Sequence, residues 1–145
     1  MISQIHHVAI LTSDIDKAIE HYADLLGCER KEPATVEKPG VHWRTVMLPL
    51  GDGTPALQLI APHEGPGVAE LEKGGEGALF EIGFRCDDIE AFNGHLAARE
   101  TSPGDLREEP LDEPYLTSAF GNRYFIVPRD RSRGTRLEFV QFCNG

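Results

Sequence analysis

The chain nearly repeats itself. Residues 6–26 read HHVAILTSDIDKAIEHYADLL and residues 80–100 read FEIGFRCDDIEAFNGHLAARE. Each stretch is an apolar strand pattern, an acidic helix start and an amphipathic helix. Setting Ser13-Asp14-Ile15 on Asp87-Asp88-Ile89 gives an offset of 74 and puts His7 on Glu81. Later in each half Leu57-Gln58-Leu59 matches Leu137-Glu138-Phe139 at an offset of 80, which puts Gln58 on Glu138. A period near half of 145 residues is too long for a solenoid of short repeats. It points to two fused modules that share one site.

The pattern predicts the order of elements. A strand over 4–12 leads to a helix capped by Ser13, with Asp16 three residues on. Ile15, Ala18, Ile19, Tyr22 and Leu26 form its apolar stripe, and Gly27 ends it. Strands follow near 28–33, 41–50 and 55–61, with Gly51-Asp52-Gly53 turning the last two. Residues 62–77 hold five glycines and two prolines and read as a linker with one helical turn at 67–73. The second half repeats the order: strand 78–86, a helix over 88–100 started by Asp87 and Glu90, then strands near 105–109, 116–127 and 135–142. Ile89, Phe92 and Leu96 are the second stripe, and residues 131–134 turn the last pair. The expectation is one α+β domain over 1–145, built from two tandem β-α-β-β-β modules, 1–61 and 78–145.

Bulk chemistry narrows the partners. A net charge of −10 without a long basic run disfavours nucleic acid and anionic membranes. No apolar run approaches the ~20 residues that span a bilayer. The opening MISQIHHVAI does not read as a signal peptide. Cys28, Cys86 and Cys143 are odd in number and widely spaced, so they read as reduced thiols of a cytoplasmic protein.

The paired positions carry the chemistry. His7, Gln58, Glu81 and Glu138 can each bind a metal, and polar groups inside apolar strands need partners. Glu138, flanked by Leu137, Phe139 and Val140, is the best single candidate. An unpaired buried carboxylate costs several kcal/mol or titrates to its neutral form, and two at related positions repel. A divalent cation removes both problems. Oxygen-rich ligation with one imidazole suits Zn²⁺, Mn²⁺, Co²⁺, Ni²⁺ or Fe²⁺ and does not choose among them. Glu81 can instead be an exposed strand residue, and His6 and His63 are read as non-ligands.

The spacing from His7 to Ile15, the strand ALQLIAP, the segment VAELEKGGEG, the strand ending in DDI and the closing RLEFVQF together resemble the vicinal-oxygen-chelate superfamily. Within it the chain is similar to the methylmalonyl-CoA epimerases and neighbouring glyoxalase-like proteins, over essentially its whole length. The resemblance implies modules curling into a half-barrel of mixed sheet around one metal, with His7, Gln58, Glu81 and Glu138 at the four ligand positions. It also implies a homodimer. The family's third ligand is usually histidine, where this chain has Glu81. One histidine with two carboxylates counts against oxygen activation, which favours two histidines and one carboxylate. Metal-assisted proton transfer asks only that substrate oxygens be held and an enolate or enediolate stabilised.

The expected activity is therefore a metal-dependent isomerase or epimerase acting beside a carbonyl. Its substrate would be a 2-substituted acyl-CoA, or a polyhydroxy ketone or cyclitol. A glyoxalase-type lyase, a dioxygenase and a non-catalytic drug-binding protein of the same fold are the alternatives. Glu37, in VEKPGVHW, is the first candidate base because related epimerases carry a glutamate ahead of a Gly-Val pair; Glu81 and His42 follow. Arg136, which shares a strand face with Glu138, joins Arg123, Tyr124 and Trp43 as candidate substrate contacts. Arg131 and Arg133 read as a solvated turn.

Overall fold

The computed structural model describes residues 1–143. The chain divides into two compact units, His7–Phe80 and Met1–His6 with the residues from Glu81 onward. The first contains the second half of β1 (Ile2–Leu11), then α1 (Ile15–Leu26), β2 (Ala34–Lys38), β3 (Val41–Pro49), β4 (Ala56–Glu64) and α2 (Val68–Gly74). Its strands lie in the order β2-β3-β4-β1, antiparallel except for the parallel pair β1–β4. The second is built from β5 (Leu79–Cys86), α3 (Ile89–Ala97), β6 (Leu116–Thr117), β7 (Arg123–Val127) and β8 (Arg136–Gln141). Its order is β6-β7-β8-β5, again with one parallel pair, β5–β8. The α+β class and the twice-used β-α-β-β-β wiring match the repeat in the sequence.

The helices α1 and α3 are each started by an aspartate and cover one face of their own sheet. Asp14 accepts from Lys17 N at 3.1 Å, and Asp88 accepts from Ala91 N at 3.1 Å. Both caps fall one residue after the expected Ser13 and Asp87, because it is Asp14 and Asp88 that reach an amide three residues on. Ser13 N–H instead donates to Glu76, and Asp87 pairs with the N-terminal amine. Gly27 closes α1 in the left-handed region at φ 69°. Ile15, Ala18 and Ile19 pack on Val46, Leu48, Leu59 and Ala61, while Ile89 and Phe92 pack on Phe125, Val127 and Phe139.

Three expected strands differ. Residues 28–33 form no strand; β2 begins at Ala34, where ATVEK replaces the charged CERKEP. Residues 105–109 form a turn, since Asp105 accepts from the amides of Arg107 (2.8 Å) and Glu109 (3.1 Å). The stretch 116–127 is a short hairpin, β6 and β7, turned through Gly121 at φ 84°. Residues 62–77 belong to the compact first unit: Trp43 Nε1 donates to Pro66 O at 2.9 Å, and Thr12 Oγ1 bonds Glu76 at 2.8 Å.

Candidate metal centre

Parallel pairing sets the four positions of interest. In one unit His7 lies opposite Ala56 and Ala9 opposite Gln58. In the other Glu81 lies opposite Arg136 and Gly83 opposite Glu138. Partners in a ladder project to the same side, and sides alternate along a strand. His7 and Gln58 therefore share one face of their sheet, one same-face step apart. Glu81 and Glu138 share the corresponding face of theirs. In each unit the opposite face carries the helix.

Gln58 is oriented by a relay. Its Nε2 lies 3.0 Å from Thr45 Oγ1, and Thr45 Oγ1 lies 3.0 Å from Leu59 O. A carbonyl only accepts, so the threonine hydroxyl donates to Leu59 and must accept from the Gln58 amide. That fixes the NH₂ toward Thr45 and turns Oε1 the other way. Oε1 is buried, and no donor among the described residues reaches it. A buried carbonyl oxygen without a partner costs about 1–3 kcal/mol, so something that accepts its lone pair belongs there.

His7 and Glu81 are 1% and 2% exposed, too dry for ordinary surface polar residues. Ligand oxygens of Glu81 and Glu138 come within 4.8 Å of each other. Glu81 Oε1 accepts from Arg136 Nε at 2.8 Å. Arg136 is fully buried, donates also to Leu106 O at 3.2 Å, and places Nη1 3.5 Å from Glu108. The arginine proposed from sequence as an anion-binding group is thus engaged as the partner of Glu81.

The remaining sequence candidates separate by face. Trp43 alternates onto the side of Thr45 and Gln58, and Tyr124, next to Ile126 on the Glu138 side, is buried too. Arg123 points to the other side, with its guanidinium 4.7 Å from the Tyr115 ring. β2 pairs with β3 as Val36↔Trp43, Glu37↔His42 and Lys38↔Val41. Glu37 and His42 therefore lie on the face opposite Gln58, and the His42 ring meets His63 at 5.2 Å. Lys38 shares the Gln58 face. Sequence reading missed Lys38 and Thr45. The signal for both was strand alternation, usable only once the register was known.

Each unit carries donors of a kind that ligate divalent cations: an imidazole nitrogen and an amide oxygen with no donor among the described residues in one, two carboxylates in the other. A model of the glyoxalase/bleomycin resistance protein/dioxygenase superfamily matches residues 6–107. The chain belongs to this superfamily. It is 29% identical over 135 residues to an ethylmalonyl-CoA/methylmalonyl-CoA epimerase of Cereibacter sphaeroides, covering 90% of this chain and 92% of that one. It is 26% identical over 132 residues to the human mitochondrial methylmalonyl-CoA epimerase, covering 89% and 69%. Among solved structures, a Streptomyces coelicolor methylmalonyl-CoA epimerase variant bound to 2-nitronate-propionyl-CoA superposes with TM-score 0.79 at 24% identity, over 99% of this chain and 97% of that one. The Mycobacterium tuberculosis methylmalonyl-CoA epimerase gives 0.76 at 23%, over 97% and 88%. The chain shares the fold of these superfamily members. Among the described residues no helix is long and apolar enough to cross a membrane.

Proposed function

We propose that the chain is a metal-dependent epimerase or isomerase that moves the proton alpha to the carbonyl of a 2-substituted acyl-CoA. The observation that carries the reading is Gln58 Oε1, buried, held by the Thr45 relay and lacking a donor among the described residues. His7, Gln58, Glu81 and Glu138 are the residues that would hold one divalent ion. When bound, the ion supplies positive charge to the substrate oxygens whose negative charge grows as the proton leaves. The substrate class rests on the relatives, which are named for ethylmalonyl-CoA and methylmalonyl-CoA.

The chain's own residues do the rest. The Thr45 hydroxyl keeps the Gln58 oxygen aimed at the ion. Trp43 and Tyr124 present apolar surface beside the ligands and help exclude water. Lys38, on the face of Gln58, is assigned the proton, since a lysine amine works as acid or base when it reaches the carbon. Glu37 and His42, on the other face, are placed behind it in this assignment.

Solvent deuterium exchange tests the reading. The purified protein is supplied in turn with Mn²⁺, Co²⁺, Ni²⁺ and Zn²⁺, with methylmalonyl-CoA and ethylmalonyl-CoA in D₂O. The expected result is deuterium at the alpha carbon with the skeleton intact. Lys38→Met should slow exchange by about a hundredfold or more, while Glu37→Gln retains it. No exchange with either substrate under any metal contradicts the activity. Loss in Glu37→Gln with retention in Lys38→Met returns the base to Glu37.

A further inference from the structure

Superposing the repeat onto the registers reveals a compensated exchange. In the first unit the parallel pair is His7↔Ala56, an imidazole beside a methyl group. At the equivalent place in the second unit the pair is Glu81↔Arg136, an acid beside a base. Where a half carries glutamate instead of histidine, it also carries arginine instead of alanine. Both second-unit residues are dry, at 2% and 0% exposure, and they meet at 2.8 Å.

We infer that Arg136 is a charge-compensating positioning residue, and that Glu81 with Arg136 stands in for one neutral metal ligand. The inference rests on the metal reading above. With Arg136 absent, Glu81 and Glu138 would cancel a divalent ion and leave a neutral centre. With Arg136 present, the same ligands leave one net positive charge, as a single carboxylate with neutral ligands would. A net positive centre attracts electron density from a substrate carbonyl more strongly than a neutral one. The guanidinium also fixes the carboxylate: Nε holds Oε1, while Nη2 is anchored on Leu106 O at 3.2 Å. Glu108 also faces Arg136, at 3.5 Å. It lies toward solvent, with its side chain 27% exposed, so water screens its charge more than that of Glu81.

Substituting the two halves of the pair should shift metal affinity in opposite directions. Co²⁺ binding is read by visible absorption and competition, alongside apo-protein melting. Arg136→Met removes a positive charge next to the ligand, so Co²⁺ should bind about tenfold more tightly or better, while the apo protein melts lower. Glu81→His removes the carboxylate that meets the guanidinium and so raises the positive charge beside the ion, and Co²⁺ should bind at least about tenfold more weakly. The double variant Glu81→His/Arg136→Met restores the neutral pairing of the first unit and should return to within about threefold of wild type. Arg136→Lys keeps the charge and should stay on the wild-type side. If Arg136→Met fails to fold, the comparison of Glu81→His with the double variant decides alone. Equal affinity in those two, or unchanged affinity in Arg136→Met, overturns the inference while leaving the metal reading intact. Wild type that binds no Co²⁺ overturns both.

Discussion

Thr45→Val is the sharpest probe of how the centre is held, because it changes none of the proposed ligands themselves. The substitution keeps the side-chain shape and removes the hydroxyl that lies 3.0 Å from both Gln58 Nε2 and Leu59 O. Two partly buried groups then lose their partner, which costs the folded protein about 1–3 kcal/mol. The larger consequence is for Gln58. Without an acceptor at Thr45, the amide no longer prefers the orientation that aims Oε1 away from that residue, and its NH₂ can turn into the ligand position. Changes of this kind, one bond removed from a metal, reduce affinity about 10–100-fold. Titration of the folded protein with Co²⁺ separates this effect from stability, which urea melts report independently. Thr45→Ser keeps the hydroxyl and should bind like wild type. If Thr45→Val binds Co²⁺ within about twofold of wild type while Gln58→Ala does not, the relay is not what orients the ligand.

Other expectations follow from the same contacts. Asp14→Ala and Asp88→Ala should each cost about 1 kcal/mol in urea melts, whereas Asp87→Ala, which removes an exposed pair to the N-terminus, should cost almost nothing. Hydrogen bonding from Ser13, and then from Thr12, holds the Glu76 carboxyl below its ordinary value of 4.5. A depressed folded-state value contributes stability above the ordinary value and loses it as pH falls through the folded one, so Glu76→Gln should flatten the acid limb of a stability–pH curve below about 4.5. Burial pushes the Cys86 thiol up, so a thiol reagent should label exposed Cys143 far faster than Cys86 in the native protein.

The repeat made the wiring legible because strand, cap and helix are local signals. The αL glycine after α1 and the apolar stripes on both helices were readable for the same reason. What failed were segments whose fate depends on side-chain hydrogen bonds. Asp105 captures two nearby amides and turns 105–109, although its pattern did not forbid a strand. The positions of His7, Gln58, Glu81 and Glu138 were legible as pairs. The side of the sheet on which neighbouring residues fall was not, because it is set by registers between strands far apart in sequence. Lys38 and Glu37 are adjacent in the chain and face opposite ways for this reason. Arg136 was noticed as a neighbour of Glu138, yet its bond to Glu81 spans 55 positions and no local pattern encodes it.

In the proposed function His7, Gln58, Glu81 and Glu138 hold one ion. Metal stoichiometry tests this most directly. The protein is stripped with chelator, reloaded with Co²⁺, desalted and assayed for bound metal, together with His7→Ala and Glu138→Ala. These take one ligand from each unit. The wild-type chain should hold close to one ion and melt lower after chelation, and both variants should lose the ion. Retention of the ion in either variant, or no ion in wild type with melting insensitive to chelator, would contradict this reading.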